Sequence, residues 1–175
     1  MLSLFPRNLI ERRQLLLLVP LFLALVISGC GFKLRGAVDI PDSLKRVYFT
    51  AKQESSSVRA TKRLLKSNGV ELVSHAGAAP YHLDILTETS KRRAATLNSN
   101  AKTKEYELRS TLTFQILDSA NKSILEPTEL IIERVYTFDE NNVNAKDAEE
   151  ALLRREMHDD LARQLVRRYL GLATR

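Results

Sequence analysis

Tyr106-Glu107-Leu108-Arg109-Ser110-Thr111-Leu112-Thr113-Phe114-Gln115-Ile116 alternates along its whole length. Tyr106, Leu108, Leu112, Phe114 and Ile116 fall on one face, with Ser110 the single polar residue among them. Glu107, Arg109, Thr111, Thr113 and Gln115 fall on the other. Side chains of a strand point alternately to its two faces, so the pattern predicts a long strand with one face on a core and one in water.

The neighbours on either side read as further strands. Upstream, Tyr81, Leu83 and Ile85 alternate with His82 and Asp84, and extended character continues through Lys91-Arg92-Arg93 to Leu97. Asn98-Ser99-Asn100 then turns the chain. Downstream, Ser119-Ala120-Asn121-Lys122 turns into a strand over Leu130–Tyr136, and Pro127 keeps the start of that segment out of a central ladder. Short connections predict antiparallel pairing of these strands.

Before them, Pro41-Asp42-Ser43 opens a strand over Lys45–Thr50, and Ser55-Ser56-Ser57 offers capping hydroxyls for a helix through Lys66. Asn68-Gly69 ends that helix, and Val70–Val73 follows as a strand. Strand, helix, strand predicts a parallel pair. His75 to Pro80 is a small-residue loop.

A last helix spans about Ala145–Leu170, with Asn144 as its cap, Asp147 at the third position and Gly171 as its stop. Leu153, Met157, Leu161 and Leu165 recur every fourth residue, widened by Ala162 and Val166. Acids lie early and bases late, which suits the helix dipole. The expected fold is α+β: a two-layer sandwich with two helices packed on a mixed four-stranded sheet.

The N-terminus carries a different signal. Arg7, Arg12 and Arg13 precede an apolar run from Leu15 to Ile27, and small residues follow, the layout of a secretory signal. The run contains Pro20 and is shorter than the roughly 20 residues that span a bilayer. Ile27-Ser28-Gly29-Cys30 resembles the lipobox of bacterial lipoproteins, in which the thiol accepts a diacylglyceryl group. This predicts a removed signal peptide over 1-29 and one domain over 30-175, anchored at Cys30. Gly31, in place of the aspartate associated with inner-membrane retention, predicts sorting to the outer membrane.

Cys30 is the only cysteine, so folding rests on core burial without disulfides. Of the formal net charge of +6, Arg7, Arg12, Arg13 and Glu11 supply two positive units, leaving the mature part near +4. Phe32 and Leu34 alternate with Lys33 and Arg35 between glycines, a short strand pattern directly after the anchor.

Catalytic motifs are missing. The three histidines, His75, His82 and His158, have no metal-ligand spacing, and no metalloprotease, nucleophile-elbow or phosphate-loop motif occurs. His82 reads as a surface histidine. Glu149-Glu150 and Asp159-Asp160 are adjacent on a helix, so their side chains diverge. The chain is expected to be no enzyme and to need no cofactor or metal.

Basic clusters stand at Lys62-Arg63, Lys91-Arg92-Arg93, Arg154-Arg155 and Arg167-Arg168. The helical ones read as solvated faces. A secretory signal makes nucleic acid a poor partner, whereas envelope lipopolysaccharide carries phosphates that lysine and arginine bind. Lys102, Lys104 and Lys146 are the candidate contacts. Lys146 is expected in the first turn of the last helix, where a positive charge opposes the dipole.

Cys30-Gly31-Phe32-Lys33-Leu34-Arg35-Gly36 resembles the start of mature chains in the lipopolysaccharide-assembly lipoprotein family LptE. Asn68-Gly69-Val70-Glu71-Leu72, Glu105-Tyr106, Ala145-Lys146-Asp147 and Gln164-Leu165-Val166-Arg167-Arg168 follow in the family's order. The resemblance implies a lipid-anchored outer-membrane protein facing the periplasm and the lumen of the β-barrel LptD. It further implies help in assembling that barrel and in inserting lipopolysaccharide. Asn98-Ser99-Asn100 departs from a loop where the family can carry a base, and Lys102 and Lys104 stand nearby. A periplasm-facing adaptor for another envelope transport system is the alternative, and a lipid-anchored hydrolase a further one.

Overall fold

The alternating stretch lies within β4 (Thr103–Asp118) in a computed structural model that describes residues 40–97 and 99–174. Leu108, Leu112, Phe114 and Ile116 are fully buried on its inner face. Burying each such side chain contributes about 1.5–3 kcal/mol. Ser110 is buried with them, and its hydroxyl bonds that of Ser90 at 3.0 Å, which offsets its desolvation.

β3 (Tyr81–Leu97) and β5 (Ser123–Thr137) flank β4 antiparallel, as the short connections require. Asp118 closes the second turn by accepting from the Ala120 and Lys122 amides, and Asn121 takes a left-handed φ of 61° that asparagine tolerates. Pro127 lies on β5, an edge strand, where the register slips between Phe114↔Thr128 and Ile116↔Leu125. That irregularity accommodates a residue with no N–H to give.

β1 (Arg46–Ala51), α1 (Ser56–Ser67) and β2 (Glu71–Val73) form the parallel unit, and β1 also pairs parallel with β3. Ser55 caps α1 by accepting the Val58 amide at 3.1 Å. Gly69, at φ 79°, turns the chain back without a Cβ penalty. The sheet runs β2-β1-β3-β4-β5, so the expected four strands become five. β2, expected as a strand over Val70–Val73, is one of the five, and its three residues pair Arg46, Val47 and Tyr48.

α2 (Val143–Leu170) buries Met157, Leu161, Ala162, Leu165, Val166 and Tyr169, while Leu153 stays half-buried at the margin. It begins earlier than expected: Asn142, not Asn144, is its capping position, and no side chain caps it. Instead the Asn142 side chain donates through Nδ2 to Asp139 Oδ2 at 2.9 Å. At the other end, Tyr169 Oη donates to the carbonyl of Leu44 at 2.9 Å and ties helix to sheet.

α1 and α2 pack against each other over the inner face of the sheet. No described helix is long and apolar enough to cross a membrane. The signal segment 1–29, Cys30 and the strand pattern around Phe32 and Leu34 lie outside the described residues, as does Asn98.

Candidate functional site

β3 carries a bulge between Ile85 and Thr87 that changes which residues face the helices. Continued alternation from Leu83 and Ile85 would turn Thr87 and Thr89 inward. After the slip Glu88, Ser90 and Arg92 lie there instead, opposite Leu112, Ser110 and Leu108.

Alternate residues of a strand advance about 6.6 Å and every fourth residue of a helix about 6.0 Å. The near match lets three rungs form with α2. His158 Nδ1 lies 3.1 Å from Glu88 Oε1, Arg154 Nη1 donates to Ser90 Oγ at 2.6 Å, and Arg92 Nη1 donates to Glu150 Oε2 at 2.8 Å.

Each carboxylate in this ladder is overdetermined. Burial raises the Glu88 carboxyl, but bonds from His158, Ser55 and Ser57 outweigh it and leave the group below the ordinary range. Burial likewise opposes ionisation of Glu150, yet Tyr136, Arg92 and Arg154 bring it down to about 2. Tyr136 is pushed up to about 12, by burial first and by Glu150 next. Tyr106 completes the cluster, with Arg92 4.6 Å above its ring and Tyr136 stacked at 5.8 Å.

Ser57, His158 and Glu88 bring a hydroxyl, an imidazole and a carboxylate together, but not as a relay. Ser57 and Glu88 both meet the same nitrogen, Nδ1, whereas a triad uses the two ring nitrogens separately. Ser57 is fully buried and already donates to Glu88. The cluster therefore fixes α1, β3 and α2 together and activates no nucleophile.

The three candidate lysines belong to one end of the sandwich. Lys102 Nζ lies 2.8 Å from Glu140 Oε2, and the main-chain oxygen of Lys104 accepts the Phe138 amide at 2.9 Å. The start of β4 thus sits beside the connection from β5 to α2. Asp139, in that connection, is held below the ordinary carboxylate range mainly by Asn142 and Asn141, and it also feels the charge of Lys146.

Lys146 is not uncompensated against the dipole, as its position predicted. Its Nζ pairs with Glu149 one turn on, at 2.8 Å. Leu97, opposite Thr103, and Val143, the first residue of α2, add exposed apolar surface at this end. Neither stands out in the sequence. Leu97 ends its strand and Val143 precedes the expected start of the helix, so neither joined an apolar stripe.

The outer face of the sheet carries polar pairs on β3 and β4, with Ile131 and Val135 of β5 exposed beside them. Arg93 grips Glu107 through two bonds of 2.9 Å, Arg109 reaches Glu133 at 2.8 Å, and Thr89 bonds Thr111 at 2.8 Å. His82 is half-buried here: it bonds Thr50 at 2.6 Å and lies against the Tyr48 ring at 4.6 Å. Adjacent acids diverge as expected, with Glu150 turned to the ladder and Glu149 to Lys146. Among the described residues no group of three metal-ligating side chains forms.

Residues 44–169 match the LptE family, described as lipopolysaccharide-assembly. The chain belongs to the LptE family. The match begins and ends on Leu44 and Tyr169, the two residues joined by the buried hydroxyl bond, so it spans the sandwich from end to end.

The LPS-assembly lipoprotein LptE of Pectobacterium atrosepticum is 29% identical over 163 residues, covering 92% of this chain and 88% of the relative. Among solved structures, lipoprotein B from Nitrosomonas europaea superposes with a TM-score of 0.73 at 26% identity, covering 82% of this chain and 93% of that one. A minor lipoprotein from Acinetobacter baumannii gives 0.60 at 32% identity, over 73% and 92%. The family assembles lipopolysaccharide and is not enzymatic.

Proposed function

We propose that this LptE-family chain is an outer-membrane lipoprotein, cut before Cys30 and acylated there, that plugs an LptD-type β-barrel and helps insert lipopolysaccharide. The observation that carries the reading is the family match over residues 44–169, which takes in every described strand and all but the last residue of the two α-helices. One acyl chain holds a protein only marginally at a membrane; the three of a triacylated cysteine make a lasting anchor.

The architecture suits a plug. A barrel lumen is polar, so its occupant should keep its own core closed and offer polar surface. The core of this sandwich is closed by its two helices, and the outer sheet face carries ion pairs and hydroxyls.

Direct lipopolysaccharide binding belongs at the lysine end, through Lys102, Lys104 and Lys146. Phosphates of the headgroup would take the lysines, while Leu97 and Val143 offer apolar contact to the acylated part. Exchanging a carboxylate for a phosphate at Lys102 costs little, because exposed ion pairs contribute about 0–1 kcal/mol. Lys102→Asp, Lys104→Asp and Lys146→Asp together should preserve the circular dichroism spectrum and the barrel complex but weaken lipopolysaccharide binding. Wild-type binding should also fall with added salt, since exposed charges are screened over about 8 Å at physiological ionic strength. A folded triple variant with full binding would remove these lysines from the site.

A further inference from the structure

We propose that the groove between α1 and α2 is a second anion site, which takes a phosphate group. It is lined by Ser56, Arg59 and Arg63 of α1 and by Arg155, His158 and Asp159 of α2. Arg59 and Arg63 are four residues apart and share one face of α1; Arg155 and His158, three apart, share one face of α2. Two basic helix faces that look in sequence like separate solvated surfaces are therefore brought to one place by helix packing.

The charges there are not consumed by the protein. Arg154, the neighbour of Arg155, is locked onto Glu150 and Ser90, whereas Arg63 and Arg155 have no ion-pair partner among the described residues. Arg59 donates only to the hydroxyl of Ser56 at 3.1 Å, which leaves that hydroxyl's own proton free to donate onward. Three guanidinium groups face one carboxylate, Asp159, so the groove holds a surplus of positive charge.

His158 is also half-committed. Its Nδ1 is used by Glu88 and Ser57, so Nε2 is the ring nitrogen left for a ligand; in the neutral ring it accepts, as from a hydroxyl of the phosphate or of its sugar. Guanidinium groups that outnumber the carboxylates beside them repel one another, and an oxyanion with several acceptor oxygens removes that repulsion. A phosphate group matches the guanidinium fork bidentately and accepts from Ser56 as well. Asp159 adds an acceptor suited to a hydroxyl beside the phosphate, as on a phosphorylated sugar or a glycerol headgroup.

The site is distinct from the lysine end and does not rest on it. The test titrates the full chain, held in nonionic detergent micelles, and follows the His158 imidazole by proton NMR. Inorganic phosphate and glucosamine phosphate are the free probes. Micelles doped with phosphatidylglycerol, against phosphatidylcholine, present the lipid source.

Saturable one-to-one binding is expected, weakened about tenfold or more in R63Q/R155Q, since bidentate charge-assisted bonds are lost. R167Q/R168Q removes the same charge elsewhere on α2 and should change affinity by no more than about twofold, the effect of distant exposed charge. The triple lysine variant should bind these probes as wild type does. R155Q alone, should the double variant misfold, is expected to lose about threefold, the effect of one exposed charge at the site. Binding to the free probes alone assigns a soluble phosphate, and response to phosphatidylglycerol micelles assigns a headgroup. No saturable shift with any probe, or equal loss in R63Q/R155Q and R167Q/R168Q, would overturn the site.

Discussion

Glu150→Gln removes one negative charge from the middle of the strand–helix ladder and leaves a side chain of nearly the same shape. In the native chain that carboxylate accepts from Arg92 at 2.8 Å, from Arg154 at 2.7 Å and from the Tyr136 hydroxyl. The three bonds hold it near 2, against an ordinary value of 4.5. At 1.36 kcal/mol per pKa unit the displacement corresponds to about 3 kcal/mol. Arg92 is 44% exposed, so solvent screening reduces this to about 1–2 kcal/mol.

The sign follows from the depressed value. The contribution is complete above the unfolded pKa and is lost as pH falls from about 5 towards 2, where the native carboxylate takes up its proton. Urea unfolding of both proteins across that range isolates the effect, because other titrating carboxylates are common to both. The stability difference should be about 1–2 kcal/mol at pH 7 and shrink towards zero near pH 2. A variant as stable as wild type at pH 7, or a difference that does not vary with pH, would refute the ladder's electrostatic role.

Two further outcomes follow from single residues. Ser55→Ala loses both the cap on Val58 and a donor to Glu88, and should cost about 1–2 kcal/mol in chemical denaturation, at the upper end for a capping residue. Cys30→Ala, if acylation occurs as proposed, should leave the precursor uncleaved or the protein released from the membrane, read by mobility and by membrane fractionation.

Residues that interact with their near neighbours were legible, and those whose role depends on distant pairing were not. β4 showed itself because its inner face is apolar from Leu108 to Ile116, with Ser110 the exception that Ser90 satisfies. The α2 stripe from Met157 to Leu165 was equally plain. β3 beyond Ile85 has no such signature. Its bulge is a local departure from alternation, and its inward residues Glu88, Ser90 and Arg92 are polar because α2 presents His158, Arg154 and Glu150 to them.

Nothing in the window around Arg92 announces a partner 58 residues away. The start of α2 is hidden in the sequence for a similar reason: Asn142 looks like loop until Asp139 is seen to hold its side chain. Lys102 is legible as an exposed base, whereas Lys146 is half-buried, and the pairing of both with Glu140 and Glu149 depends on folded geometry. Glu71 to Val73 is legible as a strand, but its place at the edge of one five-stranded sheet depends on pairing with β1.

The most direct test of the proposed role is affinity purification of the tagged, acylated chain from outer membranes, with identification and stoichiometry of whatever remains bound. The account predicts one LptD-type β-barrel per chain, together with a fall in properly oxidised barrel when this protein is depleted. Recovery of a different envelope transporter, with barrel levels unchanged on depletion, would contradict it.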